Sequence, residues 1–229
     1  TIAVTGTATA AELNTINSKT SVVVDASGVT AITGDAADFA LLVAAASSPN
    51  ATITLKADVT ATVNDAITVT AANALAALTT GVVTATLTTG GLASFGGLAE
   101  TGNAYTVTLN DAADAVLAAT DLSTLGGKTT GMVTVSNAVT ITGDAAQVTA
   151  ALVTADTLVV AGTAKVTVTG TIGVAEVNAI AAKTTGVVTA TISTNGATAL
   201  VAGLLDTTEN AYTIAVTDPA GAQARAGSE

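Results

Sequence analysis

Carboxylates and threonine hydroxyls are the groups in this sequence with the means to do chemistry. There is no Cys and no His, so no Cys–His or Ser–His nucleophile can be assembled and no thiolate can hold a metal. The basic residues are Lys19, Lys56, Lys128, Lys165, Lys183 and Arg225, scattered along the chain. They form no cluster that would neutralise an acidic polysaccharide. Among the carboxylates, Asp35 with Asp38 and Asp111 with Asp114 are the candidate ligands of a calcium ion, which takes six to eight oxygens. Asp35, Asp111 and Asp144 also each stand at the start of a helical pattern. There a carboxylate accepts from free helix amides and meets the positive end of the helix dipole. Capping is the preferred reading, because the sequence holds neither an EF-hand loop nor the Asp/Gly-rich nonapeptide of calcium β-rolls. The expectation is therefore no cofactor, with calcium as the alternative.

The hydroxyls come in pairs. Thr52 and Thr54, Thr84 and Thr86, Thr106 and Thr108, Thr167 and Thr169, and Thr189 and Thr191 each alternate with aliphatic residues. In a strand, that period of two puts the Thr side chains on one face and the aliphatic ones on the other. The elements carrying them are short Val/Ile/Thr runs. The main ones are Ile2–Thr7, Val22–Asp25, Thr52–Leu55, Val82–Leu87, Tyr105–Leu109, Met132–Val135, Leu158–Val160, Val187–Ile192 and Tyr212–Val216, with secondary strands at Val29–Ile32, Val59–Val63, Ile67–Thr70, Val139–Thr142 and Val166–Thr169. Helical patterns separate them at Ala10–Ser18, Asp35–Ala46, Ala71–Leu78, Asp111–Ala119, Asp144–Val153, Val174–Ala182 and Ala197–Leu205. Phe39, Leu42 and Val43 fall at helical spacing, and Val148, Ala151 and Leu152 repeat that stripe. Such short, Ala-rich helices are marginal alone and must lie on a sheet.

The chain repeats itself. Thr79-Thr80-Gly81-Val82-Val83-Thr84-Ala85-Thr86 returns as Thr184-Thr185-Gly186-Val187-Val188-Thr189-Ala190-Thr191. Asn103-Ala104-Tyr105 returns as Asn210-Ala211-Tyr212, and Ile32-Thr33-Gly34-Asp35 as Ile141-Thr142-Gly143-Asp144. These echoes lie about 105–110 residues apart, and smaller strand–helix units recur about every 25 residues. Val4-Thr5-Gly6-Thr7 with Glu12, Asn14, Ile16 and Lys19 matches Val168-Thr169-Gly170-Thr171 with Glu176, Asn178, Ile180 and Lys183. Units of this kind cannot bury their own apolar faces and stack on their neighbours. Strand–helix–strand connections imply parallel strands and right-handed crossovers. The fold expected is α/β: a right-handed βα-solenoid, with one long parallel sheet and short helices along one side. About eight or nine rungs over residues 1–218, in two diverged super-repeats, would give a rod near 40 Å long at ~4.8 Å per rung. Residues 219–229 read as a flexible tail or linker.

Composition limits the partners. Charged residues make up 10% of the chain and its net charge is −11, which disfavours nucleic acid and anionic membranes. The apolar run Phe39 to Ala46 is too short to span a bilayer, so no membrane insertion is expected. Gly90-Gly91 and Gly126-Gly127-Lys128-Thr129 lack the spacing of a phosphate loop and read as turns. Phe39, Phe95, Tyr105 and Tyr212 are the aromatic residues. Phe39 lies on a core stripe, and the two Tyr are equivalent strand starters rather than a sugar platform.

The Lys183-Thr184-Thr185-Gly186-Val187-Val188-Thr189-Ala190-Thr191-Ile192 stretch, together with the Thr-Gly-Asp-Ala-Ala starts at Thr33 and Thr142, resembles the Thr/Ala-rich repeats of giant cell-surface and secreted proteins of marine cyanobacteria and other bacteria. The resemblance implies an extracellular, non-enzymatic repeat segment and brings no functional residue with it. The expected role is that of a structural spacer or self-assembling segment of a surface protein, adhesin or filament. Its partner would be itself, by end-to-end or lateral association, or other extracellular surface components. The Thr pairs also resemble the Thr-x-Thr ice-binding faces of solenoid antifreeze proteins, which makes a surface-binding role one alternative. A calcium-stabilised adhesin repeat is the other.

Overall fold

Strand–helix alternation runs through the computed structural model, which describes residues 2–47, 49–99, 101–205 and 209–217. The strands and helices are, in order, β1 (Ile2–Thr9), α1 (Ala10–Ser18), β2 (Val24–Gly34), α2 (Ala36–Ala46), β3 (Ile53–Leu55), β4 (Thr60–Ile67), α3 (Val69–Ala76) and β5 (Val83–Leu87). A 3₁₀ turn at Leu92–Phe95 leads to β6 (Ala104–Leu109), β7 (Val116–Ala118), α4 (Ala119–Gly126), β8 (Val133–Val135), β9 (Thr140–Asp144) and α5 (Ala145–Leu152). After a second 3₁₀ turn at Ala155–Thr157 come β10 (Val159–Val160), β11 (Lys165–Ile172), α6 (Val174–Ala181), β12 (Val188–Asn195), α7 (Ala197–Gly203) and β13 (Ala211–Val216). The fold is α/β, with parallel sheets and short helices.

Contacts divide the chain into two compact units, Thr1–Leu109 with Leu125–Val133, and Asn110–Thr124 with Thr134–Glu229. In the first, the hydrogen-bonded strand order is β1-β2-β4-β5-β6, with β3 beside β2. All of these pairs are parallel. The segment before β8 lies along β6: Thr130 N–H donates to the Asn103 carbonyl at 2.9 Å and Val107 N–H to the Met132 carbonyl at 2.8 Å. A second, five-stranded parallel sheet has the order β13-β12-β11-β9-β7; β8 and β10 lie outside it, β8 following β6 and β10 following β8 in the strand order of the first. The single long sheet expected from the sequence is thus replaced by two. Breaks such as the one between Val160 and Lys165 split a rung into two strands, β10 in one sheet and β11 in the other. Residues 219–229, expected as a tail or linker, lie outside those described.

In β5, β6 and β12 the two faces fall as the alternation predicts. Val83, Ala85, Leu87, Val107, Leu109, Val188, Ala190 and Ile192 are buried. Thr52, Thr54, Thr84, Thr86, Thr106, Thr169, Thr189 and Thr191 are exposed, and Thr108 and Thr167 half-buried. Helices cover the aliphatic face with residues at i, i+3 and i+4: Phe39 and Leu42 on α2, Ala72, Leu75 and Ala76 on α3, Val148, Ala151 and Leu152 on α5, Val177 and Ile180 on α6. Aliphatic residues stack from strand to strand: Ile32 stands beside Ala61 and Ala61 beside Val83 in the first unit, and Ile172 beside Ile192 beside Ile214 in the second. Phe39, Phe95 and Tyr105 are core residues.

Two local readings are corrected. Asp111–Ala119 is not a helix: Asp114 takes φ +64°, and β7 occupies Val116–Ala118, pairing with β9. Strand pairing and the burial of Leu117 against the sheet outweigh the helix preference of an Ala-rich stretch. The helix of that rung, α4, starts at Ala119. In the first unit the strand expected over Ile67–Thr70 stops at Ile67, because Thr68 caps α3 by accepting from Ala71 N–H at 3.2 Å.

Candidate functional site

The side chains that recur most faithfully join one rung to the rung before it. The Thr-Thr-Gly turns at Thr79, Thr129 and Thr184 share one geometry. The first hydroxyl accepts the N–H of the glycine two residues on, at 2.9, 2.9 and 3.0 Å. It also donates to a carbonyl of the preceding rung: Val59 at 2.6 Å, Tyr105 at 2.8 Å, Ala164 at 2.5 Å. The second Thr adds its backbone N–H to that rung, on Ala57, Asn103 and Gly162, at 2.8, 2.9 and 2.8 Å. Thr129 goes further and accepts the N–H of Tyr105 at 2.7 Å. Thr129 and Thr184 are among the few buried polar residues, with 8% and 7% of their surface exposed. Each is held by bonds that repay its desolvation.

The glycine of this clip is fixed by space, not by conformation. A Cβ on Gly81, Gly131 or Gly186 would lie 2.4, 2.3 or 2.2 Å from a backbone oxygen of the preceding rung. The chain enters its next strand pressed against the last one, and only a hydrogen fits between. Thr20 forms a partial copy of the turn, accepting from Val22 N–H at 3.1 Å.

Asparagines on the helices make a second set of links. Asn73 on α3 donates to the Gly97 carbonyl at 2.7 Å and accepts from Ala99 N–H at 3.1 Å. Asn178 on α6, its repeat equivalent, donates to the Gly203 carbonyl at 2.7 Å and accepts from Leu205 N–H at 3.1 Å. Asn14 on α1 donates to the Asp38 carbonyl at 2.9 Å. Within the sheets, Asn103 and Asn210 each accept the amide of the neighbouring strand's first valine, Val83 at 2.8 Å and Val188 at 2.6 Å. Sequence reasoning quoted Thr79, Thr184, Asn14, Asn103, Asn178 and Asn210 as marks of repetition, read Thr129 as part of a turn, passed over Asn73, and assigned none of them this task. The signal was their recurrence at one place in the rung, just after a helix or within it.

The carboxylates are dispersed. Asp144 caps α5 in a reciprocal pair with Gln147, each backbone N–H reaching the other's side chain at 2.9 Å. Asp35 stands at the start of α2 but does not cap it. Its carboxylate accepts from the Asn64 amide at 3.1 Å, and Asp65 of the next rung takes the Ala36 N–H at 2.6 Å. Asp38 lies in the first turn of α2. Asp111 starts no helix; its carbonyl accepts from Asn137 at 2.8 Å. Asp114 pairs with Lys165 at 2.7 Å on an exposed surface. Among the described residues no three Asp or Glu side chains converge as a metal site would require.

Local hydrogen bonds set the titration of three exposed carboxylates. The backbone N–H of Thr9, with its hydroxyl, holds Glu12 below the usual carboxylate range. The Ser27 hydroxyl and amide do the same for Asp25, and Lys56 for Asp58. A groove of about 270 Å³ between α2 and α3 is walled by aliphatic side chains and by Phe39, Thr68 and Thr70, with no titratable group.

The outward threonines form short in-register arrays. Thr9, Thr33, Thr62 and Thr84 stand in one column of the first unit, and Thr86 beside Thr106 begins another. In the second unit Thr142, Thr167 and Thr189 align, as do Thr171, Thr191 and Thr213. Of the pairs read from sequence, 84/86 and 189/191 lie within these columns. Thr54 instead faces Asp25, and Thr169 faces Asp144. Register shifts between Thr62 and Ala66 and between Thr167 and Thr171 bulge β4 and β11, so the rows are evenly spaced on one strand and splayed on its neighbour.

No described helix is long and apolar enough to cross a membrane. Comparison with known protein families, with curated proteins and with solved structures finds nothing that matches this chain.

Proposed function

We propose that this chain is a non-enzymatic structural module, a right-handed βα-solenoid segment acting as a spacer in an extracellular bacterial surface protein. One observation carries the reading: the residues that repetition preserves are spent on holding rungs together. The Thr-Thr-Gly clips and the helix asparagines aim their hydrogen bonds at the neighbouring rung's backbone, while Glu12 and Asp144 cap helices, Asp25 and Asp35 bond nearby polar groups, and Asp58 and Asp114 pair with lysines. Parallel, clipped rungs add length without adding chemistry, which is what a spacer needs. The acidic, low-Lys composition suits an extracellular setting. Covalent concatemers of one, two and three copies test this. A spacer predicts a maximum dimension by solution scattering that grows in proportion to copy number. Growth as the cube root of mass would contradict it.

A second reading has its own support. Thr189 and Thr191 lie in register with Thr167 and Thr171, and Thr191 with Thr213, giving a small regular hydroxyl surface. Such a surface would bind an ordered solid such as ice. Thermal hysteresis abolished by Thr189→Lys would favour this role; no hysteresis at millimolar protein removes it.

A further inference from the structure

We propose that the outer edge of β1 takes the outer edge of β13 from a second copy of this chain, in parallel, so that copies join head to tail. The inference rests on the structural-module reading and adds the partner and the surface.

The first observation is a contrast between equivalent residues. β1 and α1 match β11 and α6 position by position, including a positive-φ glycine in each strand, Gly6 at +87° and Gly170 at +76°. Within the second unit, β11 is paired on one side by β9, and α5 packs on both β11 and α6. The matching side of β1 has no strand beside it among the described residues. The burial follows: Ile2 is 39% exposed where its equivalent Val166 is 0%. Val4, Ala8 and Ile16 are half-exposed where Val168, Ile172 and Ile180 are buried. A groove of about 490 Å³ opens there, its apolar wall made by Val4, Ala8, Leu13 and Ile16, with Thr7, Glu12 and Thr15 also lining it.

The second observation is the same contrast at β13. Val216 is 53% exposed where its equivalent Leu109 is 0%, and Tyr212 and Ile214 are half-exposed where Tyr105 and Val107 are buried. In the first unit, that side of β6 is taken by the chain's own Thr129–Met132 segment, through the amides of Tyr105 and Val107. At both edges, then, the chain shows what covers such a surface elsewhere: another of its own rungs.

β1 shifts register against β2 between Ala3 and Thr5 and between Gly6 and Thr7, but its equivalent β11 also shifts against β12 and is still paired on both sides. β1 reads Ile-Ala-Val-Thr-Gly-Thr-Ala-Thr and β13 Ala-Tyr-Thr-Ile-Ala-Val, with no charge and no proline. Edge strands that must stay single carry such residues. The strand pairs within each unit are parallel, so β13 meets β1 in the orientation the fold already uses. Because the two edges differ, the contact is heterologous: a joined pair still presents one free edge of each kind.

The chain has no cysteine, so single-cysteine variants report the contact cleanly. Thr5→Cys on β1 and Thr213→Cys on β13, both at exposed positions, are mixed in equal amounts under mild oxidation. The expected product is predominantly the 5–213 heterodimer. Dominance of 5–5 or 213–213 pairs overturns the proposal, as does a sedimentation mass that stays at 21.8 kDa up to millimolar concentration. Ile2→Glu, placed at an already exposed site, should weaken association at least tenfold with an unchanged circular dichroism spectrum. Unweakened association would count against β1 as the contact. Failure here leaves the spacer reading standing, because concatemer scattering tests that on covalently joined copies.

Discussion

Gly186→Ala is the substitution that presses hardest on the clip. Its Cβ would lie 2.2 Å from the Ala164 oxygen, where ordinary contact begins at 3.4 Å, so the two rungs must part by roughly 1 Å locally. That movement lengthens the Thr184 hydroxyl bond to Ala164, now 2.5 Å, and the Thr185 amide bond to Gly162, now 2.8 Å. Two hydrogen bonds at about 1 kcal/mol net each, plus part of the desolvation cost of a buried hydroxyl, come to about 3 kcal/mol. For a chain of this size each kcal/mol moves the melting midpoint by about 2–4 °C, so the expected fall is about 6–12 °C. Gly162→Ala is the matched control. Its Cβ meets nothing within 4 Å, and its effect should stay within about 0.5 kcal/mol. Thermal melts followed by circular dichroism decide between them. Equal melting points for the two variants would refute the argument that close rung-to-rung approach selects glycine here.

Thr129→Val should cost about 2–4 kcal/mol in chemical denaturation, because it strands the buried amide of Tyr105, while Thr129→Ser should cost under about 1 kcal/mol; equal losses would show that shape, not the hydroxyl, matters. Asn178→Ala should lose about 1–2 kcal/mol and speed hydrogen exchange at the Leu205 amide; unchanged exchange would detach Asn178 from that role. The pH response follows from Glu12, Asp25 and Asp58, whose acidities are all raised in the fold. Lowered folded pKa values give stability that is present above the unfolded values of 4.5 and 3.8 and is lost as pH falls through the folded ones. With no His, melting points should stay level from pH 5 to 8 and drop below about pH 4. A step inside the neutral range would contradict this.

The regular parts of the fold could be read from the sequence because two periods coincide. Alternation in Val83–Leu87 and Val188–Ile192 fixes which side chains are buried, and helical spacing in Phe39–Leu42 and Val148–Leu152 fixes which helix face meets them. The reading failed where tertiary pairing overrode local preference. Asp111–Ala119 has the composition of a helix, but its strand residues find partners in Thr140–Thr142. Asp35 has the right place for a cap, but the next rung supplies Asp65 instead. Local pattern holds no record of a neighbour some 30 residues away. The clips were visible as a motif, Thr-Thr-Gly, yet their purpose lies in a backbone oxygen that only the folded stack brings close.

Adjacent, in-register parallel rungs are the premise beneath all of this, and paired cysteines in this Cys-free chain test it most directly. Thr33 faces Thr62, and Thr167 faces Thr189; neighbouring strands stand about 4.8 Å apart, within reach of a disulfide, and next-but-one strands about twice that, beyond it. The double variants Thr33→Cys/Thr62→Cys and Thr167→Cys/Thr189→Cys should each oxidise to an intramolecular disulfide, while Thr33→Cys/Thr84→Cys stays reduced. Ready oxidation of the 33/84 pair, with the two in-register pairs left free, would contradict the stack.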